Sequence, residues 1–115
     1  MWISSRQKWH KYERQLAIKY RNIYPNCSTS RYSSRELDDK GVDLCWTGNY
    51  SIQAKCYAKY PVSVAIQTLK EMPKDTKMNI LHVKIANPKL PLKKRWSVVI
   101  LTEDDWMSLL SQLEK

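Results

Sequence analysis

The chain is short of glycine, of acidic side chains and of paired cysteines, and each shortage narrows what it can be. It has only two glycines and five prolines, with no low-complexity run and no internal repeat, which argues against a disordered chain or a solenoid. Cys27, Cys45 and Cys56 are odd in number and far apart, with no CxxC pair, and His10 and His82 stand alone, so the spacing of a structural zinc site is missing. No stretch approaches the ~20 apolar residues of a membrane span. The N-terminus is charged and polar where a secretory signal would carry its apolar segment. These absences predict an intracellular protein, whether cytoplasmic, nucleoid-associated or phage-encoded, with reduced thiols and no membrane partner.

What is abundant is positive charge. Twenty Lys and Arg against eleven Asp and Glu give a formal charge of +9 and a pI near 9.6, which favours a polyanionic partner through counterion release. Nucleic acid is the natural candidate. At 115 residues the chain is the size of one domain, residues 1–115, with a single core.

Trp9, Tyr12, Leu16, Ala17, Tyr20 and Ile23 recur at three- and four-residue spacing and predict an amphipathic helix from Ser5 to Ile23, ended by Pro25. Glu13 shares the inner face of that helix, where an unpaired carboxylate is costly, so it needs a partner. Residues 26–40, NCSTSRYSSRELDDK, read as an irregular strand or mobile loop whose hydroxyls and guanidinium groups suit phosphate. Two strand-like runs flank Gly48-Asn49 in GVDLCWTGNYSIQAKCYA and predict a β-hairpin. An odd-length, three-residue turn would set Asp43 on the same face as Gln53 and Lys55; a two-residue turn would put Ala54 there instead.

Val62, Ala65, Ile66, Leu69 and Met72 predict a second helix ending before Pro73, and Asn79 to Ala86 and Ser97 to Leu101 read as strands. Thr102 followed by Glu103, Asp104 and Asp105 has the N-cap and first-turn acids of a last helix, with Trp106, Leu109, Leu110 and Leu113 facing the core. The order helix, hairpin, helix, strand, strand, helix predicts an α/β fold with a mixed sheet flanked by helices. Arg31, Arg35, Lys89, Lys93, Lys94 and Arg95, with Trp2, Lys8, Lys11 and Arg14, are candidates to track nucleic-acid backbones.

The hairpin carries Asp43 in GVDL and Gln53 and Lys55 in QAK, with Glu13 on the preceding helix. In this pattern and element order the chain resembles the PD-(D/E)XK nucleases, and among them the phage and archaeal Holliday-junction resolvases. In that family an acidic residue begins one strand, an acid-x-Lys triplet sits on the next, and a glutamate comes from a preceding helix. The resemblance covers nearly the whole chain, and the ending VVILTEDDWMSLL is similar to that of small phage proteins.

The resemblance implies a restriction-endonuclease-like core in the order α-β-β-α-β-β-α and a metal-dependent endonuclease hydrolysing phosphodiester bonds of branched DNA. It also implies a homodimer, since a four-way junction needs two symmetric cuts. Mg2+ or Mn2+ would be held by Asp43, Glu13, the Gln53 amide oxygen and the Ala54 main-chain carbonyl. Lys55 would orient the attacking water or stabilise developing oxyanion charge. Gln53 departs from the family pattern: a neutral amide adds no charge to a dication site, which lowers metal affinity, and Glu36, Asp38 and Asp39 are the nearby acids able to supply it. Three other readings stay open: a cross-strand Asp43–Lys55 ion pair with no catalytic role, a catalytically silent DNA-binding module, and a restriction- or repair-type nuclease on duplex DNA.

Overall fold

Apolar side chains at helical spacing need a surface to cover, and here two helices cover opposite faces of one sheet. The computed structural model describes residues 5–57, 62–74, 77–85, 89 and 96–114. The helices are α1 (Ser5–Tyr20), α2 (Ser30–Ser33), α3 (Arg35–Asp39), α4 (Val62–Glu71) and α5 (Glu103–Leu113). The strands are β1 (Ser28–Thr29), β2 (Leu44–Cys45), β3 (Tyr50–Tyr57), β4 (Met78–Ile85) and β5 (Ser97–Ile100), in the spatial order β1-β2-β3-β4-β5. Only β3 and β4 run parallel, joined through α4; the other neighbours are antiparallel. The fold is therefore mixed α/β, a five-stranded mixed sheet flanked by helices.

Alternation along β3 sorts its side chains between two cores. Ile52, Ala54 and Cys56 are buried with Tyr12, Leu16 and Ala17 of α1, together with Cys27, Leu44 and Ile80. Leu81 and Val83 of β4 pack instead with Ala65, Leu69 and Met72 of α4. In the β3–β4 ladder Gln53 lies beside Leu81 and Lys55 beside Val83, so both belong to the α4 face. On the α1 face the Tyr20 hydroxyl meets His82 Nε2 at 2.5 Å with the rings edge-on. Burial, reinforced by the Lys19 charge, pulls His82 down to about 4.

The hairpin takes the register that the three-residue turn requires. Leu44 pairs with Ile52, so Asp43 shares its parity with Gln53 and Lys55. Residues 46–49 join the two strands, and positive φ at Trp46 (62°) and Gly48 (63°) reverses the chain.

Several expectations change in detail. Segment 26–40 is ordered as β1, α2 and α3, adding three short elements to the expected α-β-β-α-β-β-α sequence. Ser34 caps α3 by accepting from the Leu37 N–H, with Glu36 and Asp38 in the first turn, a helix start that the Ser-x-x-Leu stretch with its early acids encodes. Helix α1 ends at Tyr20 rather than Ile23, which is 72% exposed, because the chain turns there: the N–H groups of Ile23 and Tyr24 both donate to Tyr20 O. Helix α5 has its expected Thr102 cap, but none of its residues is buried, and Trp106, Met107 and Leu113 are exposed. Val62 and Ile66 of α4 are also exposed, and Ala65, Thr68 and Leu69 form its buried stripe. Ala86 lies outside the described residues.

A Cβ built on Gly48 would sit 2.9 Å from Tyr24 Cε1, and the Tyr24 ring is held by stacking on Tyr20. Gly48→Ala should therefore cost on the order of 2 kcal/mol, combining the left-handed backbone with displacement of that ring. Urea denaturation reads this directly; a loss of only a few tenths would mean the turn is not held in this conformation.

Candidate functional site

The site arises from unequal strand lengths. Strand β2 has two residues and β3 has eight, so among the described residues no strand lies beside the β3 edge beyond Ile52. Unpaired edge groups must be satisfied, and side chains do this work here. Asp43 Oδ2 accepts the Ala54 N–H at 2.8 Å, and Trp9 Nε1 donates to Cys56 O at 2.7 Å. Asp43 is clamped by its main chain as well: its N–H donates to Ile52 O at 2.7 Å and its carbonyl accepts the Ser30 N–H at 2.8 Å. The second of these bonds fixes the start of α2 and so carries Arg31 into place.

Around this notch charged groups converge from four elements. Glu13 of α1 is 5% exposed, and its partner is Arg31, whose terminal nitrogen lies 3.3 Å from Oε1 and 3.2 Å from Oε2. Asp43 is partly buried, and burial is the largest cause pushing its carboxyl up to about 7. The Glu13 and Asp38 carboxylates push the same way, whereas the Ala54 N–H and the Lys55 ammonium oppose them. Lys55 Nζ also lies 5.7 Å from the centre of the Trp9 ring, which holds the cation at this open edge.

Of the predicted residues, Glu13 and Lys55 thus both act on the Asp43 carboxyl. Gln53 shares a sheet face with Asp43 and Lys55, but its amide lies against Gly41, where a Cβ would come 3.4 Å from Nε2. It lines a shallow groove with Asp39, Lys40, Gly41, Glu71 and Met72. Ala54 contributes its main chain; in a strand the N–H and C=O of one residue point to the same edge, so its carbonyl belongs to the edge that Asp43 caps. Among the described residues no group of three or more His, Cys, Asp or Glu side chains is placed to hold a metal ion.

The nearby acids separate clearly. Glu36 pairs with Lys40 at 3.0 Å and Asp39 with Arg35 at 4.0 Å, both on the surface where such pairs are worth little. Only Asp38 acts on Asp43. Arg31, expected as a phosphate contact, is held on Glu13 with 40% of its side chain exposed. Arg35 and Lys89 are exposed, and Lys93, Lys94 and Arg95 lie outside the described residues, as does Trp2. Lys11 and Arg14 are exposed on α1; the Lys8 side chain lies outside the described residues. No helix among the described residues is long and apolar enough to cross a membrane. No family model, curated protein or solved structure matches the chain.

The raised carboxyl of Asp43 has a thermodynamic consequence. Its folded-state value lies above its ordinary 3.8, so the folded protein binds the proton more tightly than the unfolded chain, and stability is lost as pH climbs from about 4 through 7. His82 works in the opposite direction over an overlapping range, so the contribution must be read by difference. In metal-free buffer Asp43→Asn, which keeps an acceptor for Ala54, should match the wild type near pH 4. It should gain on the wild type as pH rises, by about 4 kcal/mol at most. Chemical denaturation across that range checks it; a difference that does not vary with pH would contradict the placement of the charge.

Proposed function

We propose that this chain is a metal-dependent DNA endonuclease of the PD-(D/E)XK kind, with Asp43 at the centre of its site, acting on branched DNA as a homodimer. The observation that carries the reading is the notch itself: Glu13 of α1 and Lys55 of β3 both act on the Asp43 carboxyl, which caps the β3 edge at Ala54, in a chain of net charge +9. The mixed sheet and the helix-hairpin-helix-strand order support the restriction-endonuclease-like core that the resemblance implies.

The residues fit a hard divalent cation. Burial beside two like charges leaves Asp43 poorly ionised near neutral pH, and a dication relieves that strain. Asp43, Glu13, the Gln53 amide oxygen and the Ala54 carbonyl would hold Mg2+ or Mn2+, with Glu13 shared between the ion and Arg31. When bound, the ion supplies a water that is nucleophilic near neutral pH and neutralises charge on the phosphoryl oxygens.

The chain's own groups do the rest. Lys55, held over Trp9, orients the attacking water and stabilises the developing oxyanion. Arg31, anchored on Glu13 and still partly exposed, offers its guanidinium to the scissile phosphate. The Ala54 N–H holds one Asp43 oxygen, which fixes the direction of the other. A homodimer is supported by exposed apolar side chains: Val98 and Val99 of β5, an edge strand of the sheet, and Trp106, Met107 and Leu113 of α5.

A catalytically silent DNA-binding module of the same fold is the second reading. It is favoured by the neutral Gln53 and by the want of a three-acid cluster among the described residues.

Nicking of a synthetic four-way junction in Mg2+ or Mn2+ separates the two. The wild type should cut, and Asp43→Ala and Lys55→Ala should each lower the rate about a hundredfold or more. Both should bind the junction within a few fold of wild type, because affinity comes mainly from phosphate contacts elsewhere. In the same titration Gln53→Glu should lower the metal concentration for half-maximal cutting. Cleavage retained in both alanine variants sinks the site; tight binding with no cutting in either metal selects the silent module.

A further inference from the structure

Between α1 and the β1–α2 segment lies a groove of about 280 Å³ lined by Arg14, Ile18, Arg21, Ser28, Thr29 and Tyr32. Its chemistry differs from that of the notch: none of the described residues lining it is acidic, and they bring two guanidinium groups, an aromatic ring, an aliphatic side chain and two hydroxyls. Tyr32 is 90% exposed and Ile18 is 61% exposed, so both present apolar surface to an incoming ligand. Arg21 is already oriented, because its Nε donates to Cys27 O at 2.8 Å, which leaves its terminal nitrogens for a second acceptor.

The groove lies close to the notch along the chain. Arg14 follows Glu13 on α1 and Tyr32 follows Arg31 on α2, and Glu13 and Arg31 themselves meet at 3.2 Å. A phosphodiester chain passing the notch would reach the groove within a short stretch. An aromatic face beside cations that track a backbone is the arrangement that binds unpaired bases without regard to sequence.

We infer that this groove seats an unpaired nucleotide of the DNA next to the cleaved phosphate, its base stacked on Tyr32 and its phosphate held by Arg14 and Arg21. The inference rests on the reading of the protein as a DNA nuclease and specifies its substrate: duplex with a single-stranded branch or flap adjoining the cut. Ser28 and Thr29 offer hydroxyls to the same sugar-phosphate, although Ser28 Oγ also meets Ser33 Oγ at 2.6 Å.

Binding in EDTA, where cutting does not intervene, tests it. The probes are a blunt duplex and the same duplex bearing a short single-stranded flap with 2-aminopurine at its first unpaired position. The wild-type protein should bind the flap about tenfold more tightly and change the 2-aminopurine fluorescence. Tyr32→Ala should abolish both the preference and the fluorescence change while leaving blunt-duplex affinity alone; Tyr32→Phe, which keeps the ring, should preserve all three. Arg14→Gln combined with Arg21→Gln should weaken flap binding more than blunt binding. The high exposure of Tyr32 makes its variants safe for folding, and circular dichroism verifies this. A flap preference that survives Tyr32→Ala, or equal wild-type binding of the two probes, overturns the groove assignment and leaves the nuclease reading standing. Failure to bind either DNA overturns both.

Discussion

The bond between the Asp43 carboxylate and the Ala54 N–H is the interaction on which the site depends. It exists because β2 stops after two residues while β3 continues, so a side chain must satisfy a main-chain donor that a longer β2 would have satisfied. Meeting that need draws a carboxylate inward beside Glu13 and Asp38, where its charge is poorly solvated. One contact therefore both closes a sheet edge and creates a concentration of negative charge. A purely structural cap would be served as well by a neutral acceptor, and the surrounding like charges make the ionised one costly. Such a cost is tolerable where a cation offsets it, which is how, in the proposed nuclease, a structural need and a catalytic centre would come to share one residue.

Arginine 31 shows how the second layer of the site is built. Glu13 faces inward from α1 because it lies between Tyr12 and the Leu16–Ala17 pair in the helical repeat, and its burial demands a counter-charge. That counter-charge arrives from α2, whose first residue donates its N–H to the Asp43 carbonyl. Arg14 and Tyr32, which line the cation-bearing groove, are the chain neighbours of that same pair on α1 and α2.

Much of this was legible where period and parity are strong. The α1 repeat, the strands β4 and β5 and the Thr102 cap follow from spacing, and the hairpin register from spacing together with an odd-length turn, because each rests on a local rule that tertiary packing does not overturn. Glu13 was readable as a carboxylate in need of a partner, but the partner was not, since it comes from a segment too polar to show a period. The distinction of Asp38 from Glu36 and Asp39 depends on one turn of α3, and five residues are too few for periodicity to choose between faces. The exposure of α5 was illegible for another reason: an apolar stripe states that a helix needs a partner surface and does not say whether that surface belongs to the same chain. Gln53 stands where the nucleases that the chain resembles have an acid, and of Glu36, Asp38 and Asp39 only Asp38 acts on Asp43.

The central claim is that Asp43 is a carboxyl kept from full ionisation by its surroundings and relieved by a divalent cation. Carbon-13 NMR of the Asp43 side-chain carboxyl, followed through a pH titration with and without saturating Mg2+, tests it most directly. The account predicts a midpoint near 7 in metal-free protein, falling well into the ordinary carboxylate range when Mg2+ is present. A midpoint that stays where it is on adding Mg2+ would contradict the account, and Asp43 would then be an edge cap and nothing more.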